Sequence, residues 1–264
     1  MTEVLLNSAC GRSVRKEHPV FKKPADENIK IWRYMSFATY VSLLDRKALF
    51  FTRVDRLEDK FEAKFPKNIF DPNFEAQATE EQRHNLEINK ERILAYNELL
   101  KKETVVNCWC ISDYETDAMW TRYPKGIAIQ STYKRLSDSF NNYDENDVFI
   151  GVITYIDHEK DVIPWDNAYQ PCVHKNRSFD YEKELRVVLS KDIRKELAKN
   201  SGLPLDNIEF PVNGVEAQID LETLIEKVVI SPKTEKWFEE LVRSVTIKYG
   251  LDKAVTKSSL AIER

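Results

Sequence analysis

Apolar and polar residues alternate in the first regular stretch of the chain. Residues 29–34 read IKIWRY, and this alternation predicts a β-strand because successive strand side chains point to opposite faces. Ser36 then has the chemistry of a helix N-cap, and apolar residues at helical spacing follow it up to residues 46–47. Residues 48–54 return to a strand pattern. We therefore predict that the domain begins as strand, short helix, strand.

Comparable patterns predict the elements along the rest of the chain. Strands are predicted at 105–112, 127–132, 149–156 and 224–230, and in the apolar run after Glu184. Helices are predicted at 74–103, at 133–140, and in a last segment that begins with Ser231 and Pro232 and ends at Gly250. The core face of this last helix is predicted to consist of Trp237, Leu241, Val245 and Tyr249.

These elements indicate the α+β class. No repeat, linker or low-complexity tract divides residues 29–264. The prediction is a single α+β domain over 29–264, with a mixed or mainly antiparallel sheet of about seven strands flanked by helices. Residues 1–28 are predicted to form a basic N-terminal arm, since they are polar, carry several lysines and arginines, and lack a sustained period.

Composition narrows the classes of function. The net charge is −4, so no overall positive field attracts nucleic acid. The chain has only 6 glycines and carries neither GxGxxG nor GxxxxGK[ST], which excludes both simple nucleotide-binding fingerprints. No CxxC pair and no metal-ligand spacing of histidines occurs, so no metal is expected.

The location is predicted to be cytoplasmic, with reduced thiols and no membrane partner. The opening residues MTEVLL are too short and too acidic for a signal peptide. No apolar run approaches the roughly 20 residues that span a bilayer. The four cysteines show no disulfide framework.

Two glutamates one residue apart are the strongest chemical signal. Glu182 and Glu184 would project to the same face of an extended backbone, with Arg186 next on that face. Like charges repel, so a cation or a cationic ligand group must lie between them. One reading is a structural salt bridge to Lys175, Arg177 or Arg186. The functional reading assigns one carboxylate to a cationic ribose and the other to the attacking group.

Two arginines near the predicted strand ends are candidate anion ligands. Arg33 and Arg53 could each bind phosphate, because the guanidinium offers a planar fork of donors. The structural alternative for Arg33 is a salt bridge to Asp59 or Glu62. Both readings remain open at the level of sequence.

Aromatic, hydroxyl and thiol side chains form weaker signals. Trp120 and Tyr123 have helical spacing and are more typical of a core than of a ligand platform. Ser131 and Thr132 end a strand, where they could cap the next helix or support a glutamate or a ribose. The thiols of the 105–112 strand are expected to be inert without a nearby base, for which His174 is the only candidate.

Most of the chain resembles a bacterial domain-of-unknown-function family, number 2971. The resemblance runs from residue 29 to residue 262 and carries no activity with it. Its motifs are Trp32-Arg33-Tyr34, the run Leu49 to Glu62, Cys108-Trp109, Met119-Trp120 with Tyr123, Lys175, Tyr181-Glu182-Lys183-Glu184-Leu185-Arg186, Ser231-Pro232 and Ser259-Leu260. A bacterial context of phage defence or toxin action is what this resemblance implies.

The order of three motifs also resembles that of toxin-type ADP-ribosyltransferases: Arg33, then Ser131-Thr132, then Glu182-Lys183-Glu184. Those enzymes carry a Ser-Thr-Ser triplet, which is incomplete here because Tyr133 follows Ser131-Thr132. The resemblance implies an ADP-ribosyltransferase-like fold with NAD as substrate and Glu184 as the principal catalytic residue. Glu182 would activate a protein or nucleic-acid acceptor. The resemblance also implies phosphate binding by Arg33 and support of the glutamate by Ser131 and Thr132. To these we add Arg53 as a second phosphate ligand, and Tyr34, Trp120 and Tyr123 as contacts for the cofactor, at its nicotinamide or adenine.

The leading hypothesis is therefore an NAD-consuming ADP-ribosyltransferase-like enzyme. The first alternative is a non-catalytic module that binds a phosphate ligand or nucleic acid in a cleft containing Arg33, Arg53, Lys175 and Arg186. The second alternative is a metal-dependent nuclease whose Mg²⁺ is held by carboxylates. The carboxylates considered for that site are Asp55, Asp59, Glu62, Glu182 and Glu184.

Overall fold

The first strand, Lys30–Met35, forms where the alternation of side chains predicts it. It lies inside the sheet, with a neighbouring strand on each side. The structure is a computed structural model that describes residues 17–59, 61–70, 72–190 and 212–261. Its strands are β1 Lys30–Met35, β2 Ala48–Arg53, β3 Val105–Ile111, β4 Ile127–Thr132, β5 Asp147–Val152, β6 Thr154–Ile156, β7 His174–Asn176, β8 Glu184–Ser190, β9 Gly214–Gln218, β10 Lys227–Ile230 and β11 Ala254–Lys257.

The described helices lie between these strands. They are α1 Phe37–Arg46, α2 Pro72–Gln77, α3 Glu80–Glu103, α4 Asp117–Arg122, α5 Tyr133–Asp138, α6 Leu221–Leu224 and α7 Lys236–Lys248. Three 3₁₀ segments, Val54–Arg56, Gln170–Val173 and Arg177–Glu182, complete the regular structure. The α+β class predicted from the sequence is confirmed.

One mixed, mostly antiparallel sheet connects nine of the strands. Its order is β11-β10-β4-β1-β3-β2-β9, and β8 joins it by pairing with β3 and then with β5. Only the β10–β11 pair in this sheet is parallel within the described residues. A separate two-stranded ribbon is formed by β6 and β7, which are parallel. The prediction of a mainly antiparallel sheet flanked by helices is thus confirmed.

The sheet forks along one edge of β3. β1 pairs with β3 only through Ile31–Ile111 and Trp32–Cys110, whereas β2 pairs with β3 only through Thr52–Val106 and Arg53–Val105. The opposite edge of β3 pairs continuously with β8. β1 and β2 therefore separate beside the middle of β3, and we call this opening the sheet fork. It is the feature that positions the candidate site.

The two faces of the sheet differ in what covers them. The main core lies on one face and packs α1, α5 and α7 against residues such as Ile31, Trp109, Ile129 and Val187. The other face has two smaller apolar clusters, one around Val106 and Val188, the other around Trp32, Tyr34 and Trp120. Polar and charged groups lie on this second face, where its apolar cover is interrupted. Alternation places Glu184 and Arg186 on this second face, whereas Arg33 has the phase of the core residues Ile31 and Met35 and extends into the sheet fork itself.

The opening strand–helix–strand unit forms as predicted. Ser36 accepts a hydrogen bond from the Thr39 backbone N–H and caps α1. Lys47 ends the helix in a left-handed conformation with φ 49°. The apolar stripe of α1 buries Tyr40, Leu43 and Leu44 in the main core. This unit places β1 and β2 on either side of the sheet fork.

The predicted helix 74–103 is wrong in its continuity. The structure has two helices there, α2 and α3, because Thr79 and Gln82 form a reciprocal capping box that begins a new helix. Thr79 accepts from the Gln82 backbone, and Gln82 accepts from the Thr79 backbone. The Glu-rich composition concealed this start signal.

The predicted core face of the last helix is also wrong, by one residue. α7 buries Phe238, Val242 and Thr246, whereas Trp237 is 61% exposed. The reason is a polar anchor: the Thr246 hydroxyl bonds to the Tyr40 hydroxyl in the core. The predicted cap is displaced as well, because the N-cap is Glu235 and the Ser231 hydroxyl donates to the Pro124 carbonyl.

The part of the predicted basic arm that the structure describes begins at residue 17. Phe21 is buried against Phe149 and Tyr169, with the Phe149 ring stacked 5.1 Å away. Gly151 permits this contact, because a Cβ there would lie 2.8 Å from the Phe21 backbone. Residues 1–16 lie outside the described residues. None of the helices in the described ranges combines the length and apolar character that a membrane crossing needs.

Candidate functional site

A cleft of about 440 Å³ opens at the sheet fork. Residues of β1, β2 and β3 form its floor, and α4, the loop after β2 and the segment around Arg177–Glu182 form its rim. We call it the fork cleft. Its size falls in the range of small-molecule sites, which are commonly about 300–1,000 Å³. It brings together six of the side chains predicted from the sequence: Arg33, Tyr34, Tyr123, Lys175, Glu182 and Glu184.

Arg33 occupies the gap between the separating strands. Its NH1 group donates to the Cys108 carbonyl at 2.8 Å, so the guanidinium replaces a strand–strand hydrogen bond. The predicted salt bridge to Asp59 or Glu62 is absent, and no other carboxylate of the described residues pairs with Arg33. Burial lowers the pKa of the guanidinium, which still stays protonated. Arg33 is therefore a half-buried cation at the cleft without a counter-charge among these residues.

Glu184 is the first residue of β8 and is almost completely buried. Its Oε1 accepts from Arg186 Nε at 2.6 Å, and its Oε2 accepts from Lys175 Nζ at 2.9 Å. Its backbone N–H donates to the Tyr155 hydroxyl. Burial would raise the pKa of Glu184, but Arg186 and Lys175 outweigh it and lower the pKa to about 2. The carboxylate is thus ionised and held by two cations.

Glu182 reaches the same lysine by a different backbone geometry from the one predicted. It ends the 3₁₀ segment Arg177–Glu182, and Lys183 follows in a left-handed conformation with φ 41° and ψ 55°. The predicted extended backbone is therefore wrong at this point. The Glu182 side chain is 13% exposed, and its Oε2 accepts from Lys175 at 2.6 Å. Its Oε1 accepts a longer bond, 3.2 Å, from the exposed Arg122.

The left-handed Lys183 gives a prediction about stability. A non-glycine residue pays about 1–2 kcal/mol for this conformation, whereas glycine adopts it without a Cβ clash. We expect Lys183→Gly to be the most stable of three variants, Lys183→Ala to be intermediate, and Lys183→Val to be the least stable. Alanine is the matched control for loss of the charge. Urea unfolding measures the order, and equal stability of all three variants would contradict it.

Five ionised side chains form one buried charge network: Glu62, Lys175, Glu182, Glu184 and Arg186. Arg186 is fully buried and donates through NH1 to Glu62 at 2.6 Å, and Lys175 lies 3.8 Å from the other Glu62 oxygen. Burial opposes both cations, yet their carboxylate partners raise the pKa of Lys175 and of Arg186. Three carboxylates and two cations leave a net charge of −1 in the network.

Aromatic rings line the wall of the fork cleft. Trp32, Tyr34 and Tyr123 lie on the Arg33 side, and Phe179 lies on the Lys175 side, 5.2 Å from its ammonium. Trp120, predicted to contact a base, is instead fully buried behind Tyr34 and donates to Glu115. Apolar neighbours enclose the Trp120 ring, so it cannot contact a ligand in the cleft. The lining is therefore aromatic at both ends, which suits a planar heterocycle.

Three other predicted residues lie away from the cleft. Ser131 is on the main-core face of β4, where its hydroxyl donates to the Leu224 carbonyl at 2.5 Å. Thr132 caps α5 by accepting from the Arg135 backbone, as the structural alternative proposed. Arg53 is held through two hydrogen bonds by Asp55. Strand alternation and local pairing thus keep these residues from contacting a ligand in the cleft.

Thiol and metal chemistry find little support at the fork cleft. Burial, and then Glu184, raise the pKa of Cys108, so the nucleophilic thiolate is disfavoured. His174, the candidate base, is not part of the cleft lining and bonds to the Gln170 carbonyl. Among the described residues, no three His, Cys, Asp or Glu side chains converge as a metal site. The carboxylates of the charge network contact cations of the protein instead.

Sequence reasoning missed two charged residues of the site and one aromatic. Glu62 was considered only as a partner of Arg33 or as a metal ligand, and Arg122 was not considered. Arg122 bridges Glu58 and Glu182 at the rim. Trp32 was treated as part of a strand motif. The signal for Trp32 and Arg122 was their proximity in sequence to Arg33 and Tyr123, whereas the pairing of Glu62 with Arg186 spans 124 positions.

Comparisons with models of protein families, with curated proteins and with solved structures found no match to this chain. The two resemblances drawn from sequence motifs therefore remain predictions. The proposed function therefore depends on the residues and geometry of the fork cleft.

Proposed function

We propose that the protein is an NAD-consuming ADP-ribosyltransferase-like enzyme with its active site in the fork cleft. The observation that carries the proposal is that Arg33, a cation without a carboxylate partner among the described residues, lines the same cleft as Glu182 and Glu184. The motif order in the sequence predicted that these residues would act together. Function is argued from this site, because fold alone does not specify it.

The distribution of charge matches the charge of NAD. The dinucleotide carries a pyrophosphate anion and, next to it, a ribose attached to a cationic nicotinamide. Arg33 can donate several hydrogen bonds to the pyrophosphate. The charge network, with its net charge of −1, suits the positive ribose. Tyr123 and Phe179, the partly exposed aromatic rings of the cleft, offer apolar faces for a heterocyclic base.

The proposed reaction breaks the bond between the ribose carbon and the nicotinamide nitrogen. Nicotinamide leaves with the electron pair, and the ribose becomes an oxocarbenium-like cation. The carboxylates near the cleft stabilise this cation electrostatically. An acceptor oxygen or nitrogen then bonds to the ribose carbon and passes its proton to a carboxylate. With water as acceptor the same steps amount to hydrolysis of NAD.

The two glutamates have different roles in this proposal. Glu184 has both oxygens engaged by Arg186 and Lys175, so it acts as a fixed negative charge. Glu182 is more exposed, and its Oε1 has only the longer bond to the exposed side chain of Arg122. We assign proton acceptance from the acceptor to Glu182. This division keeps the roles that the motif resemblance implied, with Glu184 at the ribose and Glu182 at the acceptor.

The same proposal extends to the class of acceptor, the biological role and the cellular location. A protein or a nucleic acid is the acceptor class, and a bacterial role in phage defence or toxin action rests on the resemblance of the motifs. We also propose a cytoplasmic location, because the described cysteines Cys108, Cys110 and Cys172 are free thiols.

Nicotinamide release tests the proposal. Purified protein incubated with NAD is expected to release nicotinamide, and Glu184→Gln is expected to reduce the rate about 100-fold or more, as for loss of a positioned charged group. Glu98→Gln is the matched control, since Glu98 pairs with the buried Lys101 away from the cleft. Chromatography of the products measures the rate. Absence of release with water, protein and nucleic-acid acceptors, together with absence of NAD binding, would contradict the proposal.

A second function is favoured by one specific observation. Both oxygens of Glu184 are held by cations, which suits a structural carboxylate and therefore a binding module without turnover. Such a module would recognise a phosphate-bearing ligand through Arg33. Binding of NAD or ADP without release of nicotinamide, lost in an Arg33 variant, would favour it over the enzyme.

A further inference from the structure

We propose that Glu62 is a positioning residue of the fork cleft, which sets how tightly Lys175 and Arg186 hold the two glutamates. The inference rests on the proposed function for its kinetic consequence. It also has a structural consequence that can be measured without any turnover. Glu62 belongs to the charged loop after β2, far in sequence from Glu182 and Glu184.

The contacts of Glu62 place it behind Glu184. Its side chain is 3% exposed, and its Oε1 accepts from Arg186 NH1 at 2.6 Å. Arg186 uses a different nitrogen, Nε, for Glu184. Its NH1 also donates to the Cys172 carbonyl. Glu62 therefore fixes one side of the guanidinium so that the other side presents a single N–H to Glu184.

The backbone next to Glu62 is held in an uncommon conformation. Ala63 has φ 48°, and its carbonyl accepts from the Asn97 side chain of α3. Lys183, between the two glutamates, is also left-handed. Two of the three non-glycine residues with positive φ in the described part of the chain thus adjoin carboxylates of the charge network. Such strain is typical of functional sites, and here it points to Glu62 as well as to the glutamate pair.

The electrostatic consequence of Glu62 follows from counting charges. With Glu62 present, the buried cations Lys175 and Arg186 are shared among three carboxylates, while Arg122 contacts Glu182 from the rim and Cys108 and Tyr155 adjoin Glu184. Without the charge of Glu62, Lys175 and Arg186 would be shared between Glu182 and Glu184 alone. Both carboxylates would then be held more tightly, and Glu182 would become a weaker proton acceptor. Glu62 thus limits how tightly Lys175 holds Glu182, the proposed proton acceptor.

The kinetic test compares Glu62→Gln with wild type, because glutamine keeps the shape and removes the charge. We expect kcat for NAD cleavage to fall about 10–100-fold, with KM for NAD changed much less. We also expect the acidic limb of the pH–rate profile to move to lower pH by on the order of one unit, because a negative neighbour is gone. A purely structural role would lower the activity equally at every pH. Glu98→Gln is the control and should leave the profile unchanged.

The second measurement follows hydrogen exchange at the Arg186 Nε–H by NMR. In wild type this proton should be protected, because it bonds to Glu184 in the interior. In Glu62→Gln we expect exchange to be at least about tenfold faster, since the guanidinium is no longer fixed on both sides. Unchanged exchange together with an unmoved pH profile overturns the inference. If wild type neither binds nor cleaves NAD, the proposed function fails, and exchange alone decides the role of Glu62.

Discussion

Replacement of Arg186 by methionine is expected to destabilise the protein by roughly 3–5 kcal/mol, which makes it the most damaging single change in the charge network. The variant keeps an unbranched side chain, shorter than that of arginine, but leaves Glu62 and Glu184 as buried carboxylates without their main cation. It also removes the donor to the Cys172 carbonyl. Urea unfolding at neutral pH measures the loss.

A combined variant separates the charge from the packing. Arg186→Met with Glu62→Leu and Glu184→Leu removes all three buried charges at once, and replacement of a whole ion group by apolar residues is often close to neutral. We therefore expect the triple variant to be more stable than Arg186→Met alone. A loss below about 1 kcal/mol for the single variant would show that the network is not the buried group of charges described.

The charge network also predicts the direction in which the free energy of unfolding changes with pH. The folded protein has the pKa of Glu184 at about 2, below the ordinary value of 4.5. The depressed pKa contributes stability that is fully present above the ordinary value and is lost as pH falls through about 2. The advantage of wild type over Glu184→Gln should therefore shrink from pH 4.5 towards pH 2. An advantage that grows on acidification would contradict the assigned charge state.

Replacement of Arg33 by methionine is expected to weaken NAD binding about 10–150-fold, with a smaller loss of stability than Arg186→Met. The magnitude follows from loss of a charged hydrogen-bond donor, which contributes about 1.5–3 kcal/mol. Stability should fall by about 1–3 kcal/mol through loss of the donor to the Cys108 carbonyl, but no carboxylate of the described residues is left unpaired. Arg33→Lys should recover only part of the affinity, since an ammonium lacks the planar fork. Isothermal titration calorimetry measures each affinity.

Arg46→Met is the control for loss of a surface arginine. Arg46 pairs with Glu216 and is not part of the cleft lining. Its variant should bind NAD like wild type. Equal affinity of Arg33→Met and Arg46→Met would contradict the assignment of Arg33 as the anion ligand.

Much of the fold followed from local patterns in the sequence. The β1–α1–β2 unit was predictable because alternation, the Ser36 cap and the helical stripe all agreed. β3 and β4 were predictable because each is an apolar run bounded by polar residues. Such elements depend on neighbours within the segment, and a single sequence contains that information.

Other features depend on neighbours that are distant in sequence. The buried stripe of α7 was misjudged because its selection depends on a hydroxyl contact between Thr246 and Tyr40, 206 positions apart. The convergence of Glu182 and Glu184 was predicted, but not the left-handed Lys183 that produces it. Pairing of Glu62 with Arg186 required the three-dimensional structure. The membership of the site was thus partly predictable, whereas its electrostatic arrangement was not.

The most direct test of the central claim is whether NAD occupies the fork cleft. Trp32 lines it, whereas Trp165 and Trp237 are exposed and are not part of its lining. The indole N–H resonances of these tryptophans can be followed by NMR during titration with NAD. We predict a shift for Trp32, none for Trp165 or Trp237, and a much smaller Trp32 shift in Arg33→Met at the same concentration. Shifts confined to the exposed tryptophans, or none in wild type at saturating NAD, would contradict the account.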